Sequence, residues 1–268
     1  MQKKPKTEYI EQEDLEEGAK KVADLIRVFS SSPQPRNFTS AIIAAAGMST
    51  RFGGETTKQM TEICELPVLL HTLLAYQNAD CIHEIIVVAK ADEIDTWNKL
   101  IKKFCIPKVS KLVEGGKTRQ ESVRNGLDAV DGRSRFVAIS DGARCLTTPE
   151  QIDEVCRKAY RKDAATAAHR ATDTVKISEK GHTVDSTPDR NTVWLAQTPQ
   201  VFRTSLYRAA AYTAYKEGYE ATDDNSLVEY VGHPVYLVEC GANNIKITTQ
   251  DDLAVAEAII KARRKEKI

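Results

Sequence analysis

The chain has 268 residues, of which 41% are apolar and 28% charged, and 38 lysines and arginines balance 38 aspartates and glutamates. A net charge of zero argues against a general nucleic-acid binder or a protein that binds anionic membranes, because both classes carry a basic excess that neutralises phosphates. The six cysteines form no CxxC pair and no zinc-ligand spacing, which is typical of a reduced, cytoplasmic protein. No apolar run near the N-terminus suits a signal peptide or a membrane span, so we expect a soluble intracellular enzyme.

The first predicted element is a helix within residues 1–38. Five apolar residues recur at steps of three and four, which places them on one helical face. They are Leu15, Ala19, Val22, Ile26 and Phe29. A polar, proline-rich stretch at residues 30–35 predicts a linker. We therefore predict an N-terminal extension over residues 1–38 that docks on the body or on a second subunit, followed by a functional domain over residues 39–268.

From Ser40 onward, short β-rich runs alternate with helical stretches. The predicted strands are Ala41–Ala46, Glu84–Ala89, Val109–Val113, Phe136–Ser140, Ala164–Ala168 and Val235–Glu239. The predicted helices are Pro67–Asn78, Asp92–Phe104, Arg119–Val130, Pro149–Tyr160, Ser205–Glu217 and Asp251–Arg264. This alternation predicts an α/β fold with a doubly wound, mostly parallel, Rossmann-like sheet. In such a sheet the ligand crevice lies at the carboxyl ends of the strands.

One stretch interrupts this alternation. Residues Asp173–Asp189 alternate polar and apolar side chains around Gly181-His182, as a β-hairpin does. We predict a β-hairpin arm over about residues 171–191, inserted in the α/β domain.

The first predicted strand runs into a glycine-containing loop, Gly47–Gly54, followed by Lys58-Gln59. Backbone N–H groups at such a strand end, with basic side chains just beyond, suit a phosphate. A dinucleotide fingerprint is disfavoured because Ser49 and Phe52 occupy its second and third glycine positions. A surface turn without a ligand stays open as an alternative.

Three more polar clusters follow predicted strands. They are Gly115–Ser122, Asp141–Arg144 and Asn243–Lys246. A P-loop is strongly disfavoured for the first of them, because Lys111 stands where that motif needs a glycine. Under doubly wound topology all of these clusters and the glycine loop converge on one edge of the sheet.

Several motifs in this order and spacing resemble a known family. They are Ala44-Ala45-Ala46-Gly47 with Arg51-Phe52-Gly53, Lys58-Gln59, Gly115–Val123, Asp141-Gly142-Ala143-Arg144, Asp173–Lys176, Asp189-Arg190-Asn191 with Trp194, Gln197-Thr198-Pro199-Gln200, Thr222-Asp223-Asp224, and Asn244-Ile245-Lys246. Over residues 40–260 the chain resembles the 2-C-methyl-D-erythritol 4-phosphate cytidylyltransferase family of glycosyltransferase-A-like nucleotidyltransferases. It departs from the family pattern at Ser49, Thr57, Cys145 and Asn243.

The resemblance implies a transferase that moves CMP from CTP to 2-C-methyl-D-erythritol 4-phosphate and releases pyrophosphate. This reaction belongs to the non-mevalonate (MEP) pathway of isoprenoid biosynthesis. The implied cofactor is Mg²⁺, with Asp141 as its candidate ligand. The implied assembly is a cytoplasmic homodimer without nucleic-acid or membrane partners, in which Thr174 and Arg190 of one subunit reach the acceptor pocket of the other.

The resemblance also assigns roles to individual residues. The implied catalytic residues are Arg51 and Lys58, which would bind the triphosphate. The implied nucleotide-binding residues are Ala45, Ala46, Gly47, Gly116, Lys117, Arg119, Ser122, Asp141 and Gly142. The implied acceptor-binding residues are Asp141, Arg144, Thr174, Arg190, Thr198 and Lys246.

Three alternatives stay open at this point. The acceptor could instead be ribitol 5-phosphate, since that enzyme shares the fold and the chemistry. The nucleotide could be UTP or GTP. A non-catalytic nucleotide-binding protein of the same fold is the alternative from another class, and the retention of Arg51, Lys58 and Asp141 disfavours it.

Overall fold

A seven-stranded sheet forms the centre of the molecule in a computed structural model that describes residues 35–47, 52 and 57–265. The predicted N-terminal helix lies outside the described residues, and Asn37–Ile268 forms one compact unit. The strands are β1 (Thr39–Ala44), β2 (Glu62–Ile63), β3 (Leu66–Pro67), β4 (Glu84–Ala89), β5 (Val109–Glu114), β6 (Phe136–Asp141), β7 (Ala164–Arg170), β8 (Trp194–Arg203) and β9 (Tyr236–Glu239). The α-helices are α1 (Val68–Asn78), α2 (Ile94–Lys103), α3 (Arg119–Ala129), α4 (Pro149–Lys162), α5 (Thr204–Glu217), α6 (Asp224–Tyr230) and α7 (Asp251–Lys265).

The order of strands in the main sheet is β5-β4-β1-β6-β8-β7-β9. All neighbouring pairs are parallel except those that involve β8, which runs antiparallel to both β6 and β7. Strands β2 and β3 form a separate two-residue antiparallel pair. The predicted α/β class with a mostly parallel, doubly covered sheet is therefore confirmed.

Both faces of the sheet are covered by helices, because successive strand residues point to opposite faces. On β1, Ile43 packs in a cluster with residues of α1, α2 and α4, including Leu73 and Trp97. The preceding Ile42 packs in a second cluster with residues of α3, α5 and α6, including Val123. The strands are apolar on both sides for this reason, as a buried parallel sheet requires.

Strand β8 was absent from the sequence-based prediction. Its sequence carries Pro199, which argues against a strand inside a sheet because proline donates no ladder hydrogen bond. It also buries the polar side chains of Gln197, Thr198 and Gln200. These polar side chains can be buried because each of them makes a hydrogen bond within the protein.

The predicted β-hairpin of the arm is reduced to a single antiparallel bridge between Ile177 and Ser186. The chain does double back, with the Ile177 N–H donating to the Ser186 carbonyl at 2.9 Å. The apolar side chains that a hairpin would pack stay exposed, Ile177 to 44% and Val184 to 59%. A lone hairpin without a surface to cover is marginal in water, which accounts for the short ladder.

None of the helices in the described part of the chain combines the length and apolarity that crossing a membrane requires.

Candidate active site

A crevice with a volume of about 290 Å³ opens at the carboxyl ends of β1 and β6, beside the first turn of α3. The two strand ends lie side by side, because Ala44 pairs with Asp141 in the sheet register. We call this crevice the Asp141 crevice. It is lined by Ala44, Ala46, Gly47, Lys58, Gln59, Gly116, Lys117, Thr118, Arg119, Ser122, Asp141, Ala143 and Lys246.

Asp141 is surrounded by cations. Its Oδ1 accepts from Arg119 Nε at 3.1 Å, and its Oδ2 lies 2.7 Å from Lys246 Nζ and 3.9 Å from Arg144 Nε. Burial by itself raises the pKa of Asp141, but the charges of Arg119 and Lys246 outweigh it and hold the pKa well below the usual range of an aspartate. Three cations thus face one ionised carboxylate, so the crevice favours an anion.

Arg119 has a second acidic partner that the sequence did not predict. Its Nη2 lies 2.8 Å from Asp224 Oδ2, and the Asp224 side chain is only 2% exposed. Burial by itself lowers the pKa of Arg119, but Asp224 and Asp141 outweigh it and raise the pKa above its usual value. The guanidinium is therefore permanently charged and held between two carboxylates.

The loop before α3 is packed too closely for side chains at its glycines. A Cβ on Gly115 would lie 2.2 Å from the Cβ of Ala46, and one on Gly116 would lie 2.4 Å from the Cβ of Glu121. The Gly116 N–H donates to Ser122 Oγ at 3.0 Å. Packing within the protein therefore requires glycine at both positions.

The residues after β1 adjoin this loop. Ala46 and Gly47 line the crevice, whereas Ala45 is buried beneath it, 1% exposed. Gly142 lies beside them, since its N–H donates to the Ala44 carbonyl at 2.8 Å. Of the predicted nucleotide-binding residues, Ala45 and Gly142 therefore lie behind the lining and shape it through their backbone.

Thr198 lies beneath Asp141 and is 3% exposed. Its hydroxyl is 2.9 Å from Ser140 Oγ and accepts from the Asp141 N–H at 3.2 Å. Its carbonyl accepts from Asn244 Nδ2 at 2.9 Å. Thr198, predicted to bind the acceptor, thus has its hydroxyl engaged in holding the strand end that carries Asp141.

Arg144 is also tied to the Asn244 segment. Its Nη1 donates to the Asn244 carbonyl at 2.6 Å, and Asn244 Oδ1 accepts from Thr147 Oγ1 at 2.7 Å. Asn244 is completely buried. These bonds bring the segment that carries Lys246 against the turn after β6, which explains why the two motifs meet.

Two predicted acceptor-binding residues, Thr174 and Arg190, lie away from the crevice in the described structure. Arg51 lies outside the described residues. Thr174 and Arg190 belong to the exposed arm and its base, and Arg190 Nη1 donates to the Thr172 carbonyl at 3.1 Å. Neither arm residue is among those that line the crevice.

Three of the positions that depart from the family pattern, Thr57, Cys145 and Asn243, are described by the structure, and none of them is among the residues that line the crevice. Cys145 is buried in a cluster with Phe52 and Ile247. Asn243 is exposed, and the Thr57 carbonyl accepts from the Met60 and Thr61 N–H groups. Ser49 lies outside the described residues.

The comparisons with known proteins point in one direction. A family model described as 2-C-methyl-D-erythritol 4-phosphate cytidylyltransferase (IspD) matches residues 39–262. Curated proteins of that name are similar: the one from Alkaliphilus oremlandii is 42% identical over 227 residues, 84% of this chain and 96% of that protein. The one from Caldanaerobacter subterraneus is 42% identical over 223 residues, 83% of this chain and 98% of that protein.

Solved structures agree with the sequence comparisons. A 4-diphosphocytidyl-2C-methyl-D-erythritol synthase from Anaerococcus prevotii has a TM-score of 0.74 at 32% identity and covers 84% of this chain and 99% of that one. A 2-C-methyl-D-erythritol 4-phosphate cytidylyltransferase from Thermus thermophilus has a TM-score of 0.69 at 31% identity, with 84% and 99% covered.

Proposed function

The chain belongs to the 2-C-methyl-D-erythritol 4-phosphate cytidylyltransferase family, and we propose that it transfers CMP from CTP to 2-C-methyl-D-erythritol 4-phosphate in the Asp141 crevice. It is a nucleotidyltransferase, and its products are CDP-methylerythritol and pyrophosphate, in the non-mevalonate route to isoprenoid precursors. The observation that carries the site assignment is the cluster of Arg119, Arg144 and Lys246 around Asp141. Relatives named for methylerythritol phosphate do not favour the ribitol phosphate, UTP or GTP, or non-catalytic alternatives.

The nucleotide is proposed to lie across the crevice, from the glycine loop to the cations. Gly116 and Ser122 would face cytosine, since both residues line the crevice beside the start of α3. Lys58 and Lys117 line the same crevice and would bind the triphosphate. Arg51 is proposed to join them from the glycine loop.

The reaction needs positioning and charge neutralisation rather than covalent help from the protein. An oxygen of the acceptor phosphate attacks the α-phosphorus of CTP in line. A new P–O bond forms while the bond from the α-phosphorus to the bridging oxygen breaks, and pyrophosphate leaves with that electron pair. Lys58 would stabilise the charge that develops on the α-phosphate oxygens, because a preorganised cation needs no rearrangement at that moment.

Asp141 is the proposed ligand of Mg²⁺. The described part of the chain holds no group of three or more His, Cys, Asp or Glu side chains that could bind a metal ion. This agrees with the donor set that Mg²⁺ usually takes beside nucleotides, which is one or two carboxylates plus phosphate oxygens. A bound Mg²⁺ would neutralise charge on the triphosphate. Asp141 is ionised and faces the crevice, so its carboxylate could bind Mg²⁺ once the ion displaces Arg119 or Lys246 from one of its oxygens.

The acceptor phosphate is proposed to bind near Lys246 and Arg144, with the arm of a second subunit closing the pocket. Support for a homodimer comes from the arm itself, since Ile177 and Val184 stay exposed among the residues that the structure describes. Thr174 and Arg190 would then reach the partner's crevice. A two-fold dimer exchanges two such arms symmetrically.

A cytoplasmic location is proposed from the cysteines. All six cysteines are free thiols, and three of them are buried. Free thiols persist in reducing compartments. The proposed partners are the two small-molecule substrates and a second copy of the chain, with no nucleic acid or membrane.

One assay tests the proposed function. The protein is incubated with Mg²⁺ and each of the four nucleoside triphosphates, with either 2-C-methyl-D-erythritol 4-phosphate or ribitol 5-phosphate, and pyrophosphate is measured. We expect release with CTP and methylerythritol phosphate, and its loss in excess EDTA. Equal turnover with UTP or ribitol 5-phosphate, or full activity in EDTA, would contradict the proposal.

A further inference from the structure

Behind the Asp141 crevice, a buried carboxylate contacts the side chain of Arg119, and a buried phenol holds that carboxylate. Asp224 Oδ2 lies 2.8 Å from Arg119 Nη2. The other oxygen of the same carboxylate, Oδ1, accepts from the Tyr207 hydroxyl at 2.6 Å. Asp224 and Tyr207 are each only 1% exposed. One oxygen of the carboxylate thus accepts a hydrogen bond from the phenol, and the other is in ion-pair contact with the guanidinium.

The Asp224 carboxylate is also fixed through its backbone. The Asp224 N–H donates to Gln200 Oε1 at 3.0 Å, and the Asn225 N–H donates to the same oxygen at 3.2 Å. Asp223 caps the start of α6 by accepting from the Ser226 N–H at 3.0 Å. Gln200 lies in β8, so α6 is tied to the central sheet at the residue that binds Arg119.

Arg119 has room to move if this support is lost. Its side chain borders the Asp141 crevice and also a second cavity of about 350 Å³, which we call the Tyr207 cavity. That cavity lies between α3 and α5 and is lined in part by Tyr207, Tyr219 and Leu227. An arginine side chain has many rotamers, so without an anchor the guanidinium would distribute between the two spaces.

The other partner of Arg119 cannot serve as that anchor alone. Asp141 is shared with Lys246 at 2.7 Å and lies 3.9 Å from Arg144. Its carboxylate faces the crevice, where Lys246 and any cation bound with the substrate compete with Arg119 for it. Asp224 faces the protein interior and meets no such competition.

We propose that Asp224 and Tyr207 are positioning residues for CTP binding, which keep the Arg119 guanidinium at the wall of the Asp141 crevice. This inference rests on the proposed function, because it takes the crevice as the CTP site. The hydroxyl of Tyr207 suits the role, since burial and the Asp224 carboxylate raise the pKa of Tyr207 and keep its proton in place.

The most selective probe is Tyr207→Phe, which removes one hydroxyl and keeps the ring. The ring of Tyr207 stacks on Phe202 with centroids 5.2 Å apart, and phenylalanine preserves that contact. We expect the KM for CTP to rise by about 3–10-fold, since a hydrogen bond to a charged group is lost. The kcat and the KM for the acceptor are expected to stay within about twofold, because the reacting atoms are not touched.

A matched control is Tyr160→Phe. The Tyr160 hydroxyl lies 2.7 Å from Thr39 Oγ1, at the start of β1 and away from the crevice. This variant also removes a hydrogen-bonded hydroxyl beside the sheet, so it reports the effect on stability alone. We expect a lower melting temperature and an unchanged KM for CTP.

A double-mutant cycle separates positioning from general stability. In an Arg119→Met background, Tyr207→Phe is expected to raise the KM for CTP no further, because the group that it positions is gone. Arg119→Lys serves as a second background if Arg119→Met does not fold, and CTP affinity by calorimetry gives a measurement independent of turnover. An equal fold-increase in both backgrounds, or an unchanged KM in Tyr207→Phe, would overturn the inference.

The same set of variants distinguishes this inference from the proposed function. If Arg119→Met weakens CTP binding and Tyr207→Phe does not, the positioning role is wrong and the CTP site stands. If neither Arg119→Met nor Lys58→Ala changes the use of CTP, the placement of CTP in the crevice is wrong and the inference fails with it.

Discussion

Two buried carboxylates stand at opposite edges of the same sheet and are satisfied in different ways. Glu84 begins β4 and is 6% exposed, whereas Asp141 ends β6 and is 8% exposed. The Glu84 oxygens accept from neutral donors, namely Ser40 Oγ at 2.6 Å, Ser110 Oγ at 2.7 Å and the Asp131 N–H at 2.9 Å. These bonds join β1, β5 and the segment before β6 to β4.

Asp141 has cations in place of those neutral donors. Arg119 Nε lies 3.1 Å from one oxygen and Lys246 Nζ lies 2.7 Å from the other. Neutral donors hydrogen-bond a carboxylate without bringing a positive charge that a ligand could use. Cations keep charge at the edge of the crevice that a phosphate can share. Burial of a carboxylate therefore does not by itself identify a binding site. The charge of the groups that donate to the carboxylate identifies it.

The largest expected effect is on catalysis at the carboxyl edge. Lys58→Ala should lower kcat by about 10²–10³-fold, because it removes one preorganised group that stabilises transition-state charge. The melting temperature should change by less than about 2 °C, since Lys58 lies in a loop outside the core. Steady-state kinetics with pyrophosphate detection and thermal melting measure the two quantities.

The control for Lys58→Ala is Lys261→Ala. Lys261 pairs with Glu257 on the exposed face of α7 at 2.9 Å, so its loss should leave kcat unchanged. A Lys58→Ala enzyme within about threefold of the wild-type kcat would refute the assigned role and weaken the contrast between the two edges.

The second prediction asks whether the carboxyl edge is completed by a partner. Inactive Lys58→Ala and Arg190→Ala chains are mixed and allowed to exchange subunits. If the arm crosses to the other subunit, half of the dimers are mixed and each has one intact site, so activity should return to about a quarter of wild type. The amino edge, with Glu84 and its donors in one chain, needs no such partner.

Subunit exchange is verified separately by light scattering and by a tag on one of the two chains. A crevice built within one chain would restore no activity in the mixed dimers. A monomer at micromolar concentration would also refute the crossed arms.

The third prediction concerns the amino edge. Glu84→Ala leaves the Ser40 hydroxyl and the Asp131 N–H without their acceptor, and each buried donor left unsatisfied costs about 1–3 kcal/mol. We expect a loss of about 2–4 kcal/mol in the free energy of unfolding by urea. The kcat should be unchanged, because none of the residues proposed to bind substrate lies at this edge.

Glu84→Gln is the matched variant for that experiment. It retains one acceptor oxygen, so its loss of stability should be smaller than that of Glu84→Ala. A Glu84 variant that folds stably yet loses catalysis would show that the two edges are not independent.

The sequence predicted the sheet and the convergence of its motifs well. Apolar strands such as Glu84–Ala89 alternate with amphipathic helices, and this pattern depends only on local burial. The meeting of Asp141 and Lys246 followed from the rule that parallel strands end at one edge. Where the fold departs from pure alternation the prediction failed, as for β8, in which Pro199 concealed a central strand.

The contacts behind Arg119 could not be predicted from sequence. Arg119, Tyr207 and Asp224 come from three separate helices, and only the packing of α3, α5 and α6 on one face of the sheet brings them together. The motif Thr222-Asp223-Asp224 was recognised but carried no role. A single sequence has no local signal for an ion pair between residues so far apart, whereas a cap such as Asp223 on Ser226 is local and predictable.

The smallest expected effect is the dependence of stability on pH that Asp141 contributes. The folded-state pKa of Asp141 lies below its usual value, because Arg119 and Lys246 outweigh the effect of burial. Its stabilising contribution is therefore complete above the unfolded pKa of about 3.9 and is lost as the pH falls below that value. Each tenfold difference in proton affinity between the folded and unfolded states corresponds to about 1.4 kcal/mol of that contribution.

The measurement is the free energy of unfolding by urea between pH 5 and pH 3 (about the range over which an unfolded aspartate titrates) for the wild type and Asp141→Asn. Other carboxylates titrate in both proteins and cancel, so the difference in stability should shrink as the pH falls. The difference in the free energy of unfolding between the wild type and Glu84→Gln is measured in the same way, as a comparison at the amino edge. There, no cation lies within hydrogen-bond distance of the carboxylate in the described structure. A difference for Asp141→Asn that stays constant or grows toward pH 3 would mean that its cations do not favour the ionised form, and the charge contrast between the two edges would fail.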